Sequence, residues 1–78
     1  MKIEIMGGGC AKCHRQAQNV EKALAELEMG AEVVKVEDLT EIMNRGVMLT
    51  PAVAIDGELV SSGRVASVDE LKRLLSSR

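Results

Sequence analysis

Residues Gly7 to His14 read GGGCAKCH, two cysteines separated by two residues with a histidine directly after the second. Thiols at this spacing can do three kinds of chemistry. They can close and open a disulfide, or hold a soft metal ion as thiolates. In the string C-x-x-C-H they can also take the two thioether bonds of a c-type haem, with His14 as axial ligand. The same side chains serve all three, so the rest of the chain must discriminate.

The haem reading asks most of the sequence. A haem would fill the middle of a 78-residue chain whose apolar residues are already needed for a sheet and its helices. Met43 or Met48 could be a second axial ligand, but methionine at helical spacing is more often core filler. In the metal reading, the thiolates of Cys10 and Cys13 share Cu(I) or Zn(II). The length and the cysteine pair are similar to those of small copper-chaperone domains. Those domains usually carry methionine two residues before the first cysteine, where this chain has Gly8, and they end in a strand. His14 is the only histidine, which leaves a zinc site half built.

The redox reading explains more residues. If Ala11 opens a helix, Cys10 stands at its N-terminus, where unpaired N–H groups and the helix dipole favour thiolate over thiol. Cys10 is then the nucleophile. Cys13, one turn further on and at the head of an apolar stripe, is the more buried sulfur and can resolve a mixed disulfide from within. Lys12 modestly favours the neighbouring thiolate. His14, Arg15 and Gln16 read as exposed, with proton carriage by His14 as the lesser alternative. Gly7, Gly8 and Gly9 supply backbone angles that other residues cannot take, or let a partner's backbone approach closely.

The elements that must position this motif follow from periodicity. Lys2 to Met6 alternates, with Ile3 and Ile5 on one side, as a half-buried strand does. Cys13, Ala17, Val20, Leu24 and Leu27 recur at steps of four and three, a helical stripe that Gly30 would cap. Glu32 to Val36 or Glu37 is rich in β-branched residues and reads as a second strand, parallel to the first. Asp38 or Thr40 can cap a short helix that carries Leu39, Ile42 and Met43 inward and stops at Gly46. Ala52 to Ile55 and Glu58 to Val60 flank Asp56-Gly57, a two-residue hairpin turn. Ser67 and Glu70 form a capping box for a last helix that buries Val68, Leu71, Leu74 and Leu75. The order is β-α-β-α-β-β-α, an α/β fold in one domain, residues 1–78, with a four-stranded mixed sheet flanked by three helices.

Composition narrows the function classes. The hydrophobic fraction is 46% with no aromatic residue, so the core is aliphatic and there is no stacking platform for single-stranded nucleic acid. Net charge is −2 with both signs interspersed, which offers no footprint for nucleic acid or an anionic membrane. MKIEIM carries Lys2 and Glu4 and does not read as a signal peptide or membrane span. A cytoplasmic protein is expected, where a lone cysteine pair is more often redox-active or metal-binding than a permanent staple.

Taken together, IEIMGGGCAKC, Thr50-Pro51 before the third strand, and DGELVSSGRVAS between hairpin and last helix resemble the thioredoxin superfamily. The closest likeness is to its small redox-active disulfide, or glutaredoxin-like, members. The resemblance covers essentially the whole chain and implies a minimal thioredoxin-like fold. It also implies that Pro51, the only proline, is cis and faces the disulfide, and that Thr50 offers its backbone to an extended stretch of partner. Read from residues alone, a trans proline starting a strand is the commoner case. Gly9 and Ala11-Lys12 stand where thioredoxins proper carry Trp and Gly-Pro, and SSGRVAS departs from the glutathione-binding pattern of glutaredoxins.

The expectation is a thiol-disulfide oxidoreductase. It uses Cys10 and Cys13, binds substrate at Thr50 and Pro51, and needs no cofactor. Its partners are protein disulfides and a reductase, with no nucleic acid or membrane, and it acts as a monomer. The alternative is a Cu(I) or Zn(II) binding module built on the same two thiolates.

Overall fold

A computed structural model describes residues 1–7 and 11–77 of the chain. The elements run β1 (Lys2–Met6), α1 (Ala11–Leu27), β2 (Glu32–Val36), α2 (Leu39–Asn44), β3 (Ala52–Ile55), β4 (Glu58–Ser62) and α3 (Val68–Ser76). The strands form one mixed sheet in the order β2-β1-β3-β4. β1 pairs with β2 in parallel, while β3 runs antiparallel to both β1 and β4. This is the expected α/β order, and it puts β1, the strand that leads into the cysteine motif, at the centre of the sheet.

Alternation along β1 divides the core in two. Ile3 and Ile5 join Val53 and Ile55 under α1 and α3, with Ala17, Val20, Ala23, Leu24, Leu71 and Leu75. Met6 points the other way, packing with Val36, Ile42, Val47, Ala52 and Ala54. Each large aliphatic side chain fully withdrawn from water contributes roughly 1.5–3 kcal/mol. Two long helices cover the first face, whereas α2 offers the second face a single buried residue, Ile42. Leu39 and Met43, expected to point inward, are 68% and 65% exposed. A helix of 6 residues has less than two turns, too few for three inward positions once Ile42 has been aimed at the sheet.

The polar residue that fastens α2 is Arg45, just past the helix, which pairs with Glu4 of β1. Glu4 is buried in the central strand, and its carboxylate holds the Arg45 guanidinium above its ordinary range, chiefly through the hydrogen bond between them. Asp38 supplies the N-cap, accepting from the N–H groups of Thr40 and Glu41.

Element ends differ from the pattern in the sequence or refine it at several points. Gly30 does not cap α1. Instead Glu28 takes the left-handed conformation at φ 54°, with Met29 N–H donating to Leu24 O at 3.0 Å and Glu28 N–H to Ala25 O at 3.2 Å. That pair of bonds is a Schellman ending, built here on a residue with a Cβ. Asp56 and Gly57 both have positive φ, as the tight hairpin turn requires. β4 continues past Val60 to Ser62, with a bulge opposite Val53 and Ala54. The serine half of the expected capping box is present, Ser67 Oγ accepting from Glu70 N–H at 3.2 Å. The Glu70 carboxylate turns instead to Arg64, whose two terminal nitrogens grip both its oxygens. That bond is the main cause that draws Glu70 below the usual carboxylate range.

Candidate functional site

The site grows out of the end of β1. Gly7 N–H donates to Val36 O at 3.0 Å, carrying the pairing with β2 one residue past the strand. α1 then opens at Ala11. Cys10 lies outside the described residues, as do Gly8 and Gly9. Cys13 is in the first turn of α1 and is buried, 7% exposed, as its place on the apolar stripe predicts.

Gly7 explains how that sulfur fits. A Cβ on residue 7 would lie 2.1 Å from Cys13 Sγ and 3.8 Å from Thr50 Cβ. The first distance is well inside contact, so the Cys13 sulfur occupies the space that any side chain at position 7 would need. The second shows that Thr50 borders the same space. At Gly7 the reason for a glycine is one that neither reading of the glycine run named, room for the chain's own Cys13 side chain.

The Thr50-Pro51 peptide is cis, as the resemblance implied. Pro51 is buried and Thr50 exposed, so the peptide shows its threonine to the surface. Two bonds tie the loop to the end of β4: Gly63 N–H to Pro51 O at 3.0 Å, and Ser62 Oγ to Leu49 O at 2.9 Å. Gly63 has φ 79°, and a Cβ there would meet Leu49 at 3.1 Å. The loop before β3 is therefore pinned from β4.

A further loop is held by a residue that sequence reasoning placed on the surface. Gln16 is fully buried. Its side chain amide accepts from Ala66 N–H at 2.7 Å and donates to Ala66 O at 3.3 Å, and Asn19 donates to the same carbonyl at 3.0 Å. The amide stands in for a strand partner, fixing the segment between β4 and α3 against α1 one turn from Cys13. The signal in the sequence was the spacing: Cys13, Gln16, Ala17 and Val20 lie on one helical face.

His14 is exposed on α1. Among the described residues no three His, Cys, Asp or Glu side chains gather as a metal-binding group, and no helix is long and apolar enough to cross a membrane.

A buried sulfur at the head of a helix, set against the end of a central strand and bordered by a cis Thr-Pro peptide, belongs to the thioredoxin-like class. The thioredoxin domain family matches residues 1–76. A thioredoxin of Methanothermobacter thermautotrophicus is 43% identical over 97% of this chain and 99% of its own length. One of Methanocaldococcus jannaschii is 47% identical over 96% of this chain and 86% of its own. The chain belongs to the thioredoxin family and is a disulfide oxidoreductase.

Proposed function

We propose that the chain exchanges a Cys10–Cys13 disulfide with disulfides of partner proteins. Cys10 is the attacking thiolate and Cys13 the resolving one. Cys10 immediately precedes the first residue of α1 in the sequence, where helix N–H groups favour the charged sulfur. Reduced protein attacks a partner disulfide through Cys10. Cys13 then attacks Cys10, the partner leaves as a dithiol, and the pair is left oxidised. A separate reductase returns the two electrons. Thr50 and Pro51 receive the partner, the exposed backbone at Thr50 pairing with an extended stretch beside its disulfide. The chain works as one domain, a monomeric electron carrier of the cytoplasm without a bound cofactor, in the manner of the small glutaredoxin-like members of the superfamily.

The observation that carries this reading is the seat of Cys13: its sulfur fills the space left by Gly7, with Thr50 on the border. The test is equilibration in graded thiol-disulfide buffers with metal excluded, alongside insulin reduction. An intramolecular disulfide with one definite potential is expected, with turnover lost in Cys10→Ser. A thiol pair that is inert in exchange yet holds Cu(I) tightly would overturn it.

A further inference from the structure

α2 aims Ile42 at the sheet, which leaves Leu39 and Met43 on its outer side. Met48, in the loop that follows, is 93% exposed. With Ile42, Val47 and Thr50, these three side chains line an open groove of about 500 Å³, the size of a site that takes a small ligand or a few side chains. Its walls are aliphatic or thioether, and its hydroxyl comes from Thr50, which also borders the seat of the Cys13 sulfur. Of the five methionines, Met6 is closed off at 1% exposure, Met29 packs against the core and Met1 precedes β1, at the end away from the cysteine motif. The two thioethers most open to solvent therefore stand together in the groove. Beside it Asp38 and Glu41 are exposed at the start of α2, while Arg45 is taken by Glu4 and Glu41. An acidic rim around an apolar floor suits a protein segment with an aliphatic side chain and a lysine or arginine next to it.

We propose that Met43 and Met48 are an oxidation switch on this groove, by which a hydroperoxide shuts off exchange with partner proteins and leaves the cysteine pair's own reactivity intact. The inference rests on the exchange reaction proposed above. The occupant of the groove is the partner segment beside its disulfide, because that segment meets Thr50 and Thr50 is part of the lining. In the thioether state an aliphatic side chain of the partner docks against soft, apolar sulfur. A hydroperoxide changes that surface. A sulfur lone pair attacks the terminal peroxide oxygen, an S–O bond forms and the O–O bond breaks. The hydroperoxide proton passes to the departing oxygen, which leaves as water or an alcohol. Sulfur has been oxidised by two electrons to the sulfoxide and the peroxide reduced by two. The sulfoxide oxygen is a hydrogen-bond acceptor, and an apolar side chain laid over it strips its water without replacing the bond. The partner then docks less well, while the pair at the head of α1 is unaltered.

The full chain is treated with hydrogen peroxide as its Cys10–Cys13 disulfide, so that neither cysteine is a free thiol, and is then reduced with dithiothreitol, which returns the dithiol but not the thioethers. Peptide mass spectrometry is expected to find the added oxygen at Met48 and Met43 and none at Met6. Oxidised protein is expected to lose about tenfold in kcat/KM for insulin. Its rate with 5,5′-dithiobis(2-nitrobenzoate), a disulfide too small to need the groove, is expected to stay the same. In Met43→Leu/Met48→Leu, which keeps the groove apolar but has no sulfur there, kcat/KM for insulin is expected to be equal before and after peroxide. Met48→Gln is expected to lower it without peroxide. Oxidised parent as active on insulin as untreated parent, or a double variant that loses as much as the parent does, would overturn the switch while leaving the exchange reaction standing. Untreated parent that reduces neither disulfide would overturn the exchange reaction itself. Untreated parent that is a dimer, dissociating on oxidation, would give the groove to a second copy of the chain and overturn the proposed occupant. Met43 and Met48 are exposed, and circular dichroism of each variant confirms that the fold is intact.

Discussion

At the scale of single residues, Gly7 is the position where the backbone and the chemistry meet. Its missing side chain is the space that Cys13 Sγ occupies, so Gly7→Ala must push the sulfur or the first turn of α1 aside. Overpacking of this kind costs roughly 1–3 kcal/mol, and the displaced sulfur should lower insulin reduction at least as clearly as it lowers the melting temperature. Gly30→Ala is the matched control. A Cβ there meets nothing within 4 Å, and the loss of chain entropy in the unfolded state should leave stability unchanged or raised by about 0.4–1 kcal/mol. If the two variants behave alike, the packing of Cys13 on Gly7 is not what positions the sulfur.

At the scale of elements, the ends of the helices matter most. α1 terminates on Glu28 in a conformation that costs residues with a Cβ about 1–2 kcal/mol. Glu28→Gly should therefore stabilise the protein, by about 1 kcal/mol after the greater entropy of glycine in the unfolded chain is subtracted. Chemical denaturation would show this as a shifted midpoint at constant slope. The Gln16 clamp tests the opposite sign. In Gln16→Leu, Asn19 still donates to Ala66 O, but the Ala66 N–H loses its acceptor in a residue that is 0% exposed. An orphaned buried donor costs about 1–3 kcal/mol, and amide exchange at Ala66 should accelerate with it. Unchanged exchange there would mean that the segment between β4 and α3 is held by something else.

Across the whole molecule, the two faces of the sheet are unequally covered, and truncations should report it. Leu71 lies in the layer shared by α1, α3 and the sheet and is 1% exposed. Leu71→Ala should cost about 2–5 kcal/mol, a large part of what a domain this small has to spend. Met43→Ala, on the outer side of α2, should stay within about 0.5 kcal/mol. Thermal unfolding of the two variants checks this directly. A large loss from Met43→Ala would mean that α2 packs more deeply than its exposure indicates.

The sequence by itself determined what depends on neighbours along the chain. The period of two in β1, the stripe on α1, the Asp-Gly turn and the Ser67 cap are local, and the structure carries all of them. Thr50-Pro51 was legible only through resemblance, because the bond's preference for cis depends on what surrounds it. Tertiary structure decided the rest. Whether Leu39 and Met43 are core or surface depends on how many turns α2 lays against the sheet. Whether Gln16 is solvated depends on the Ala66 backbone, 50 residues away in sequence. Where Cys13 places its sulfur depends on Gly7 at the end of another element. Periodicity shows which face of a helix is apolar, but long-range contact decides what that face meets, and in this chain the proposed chemistry rests on those contacts.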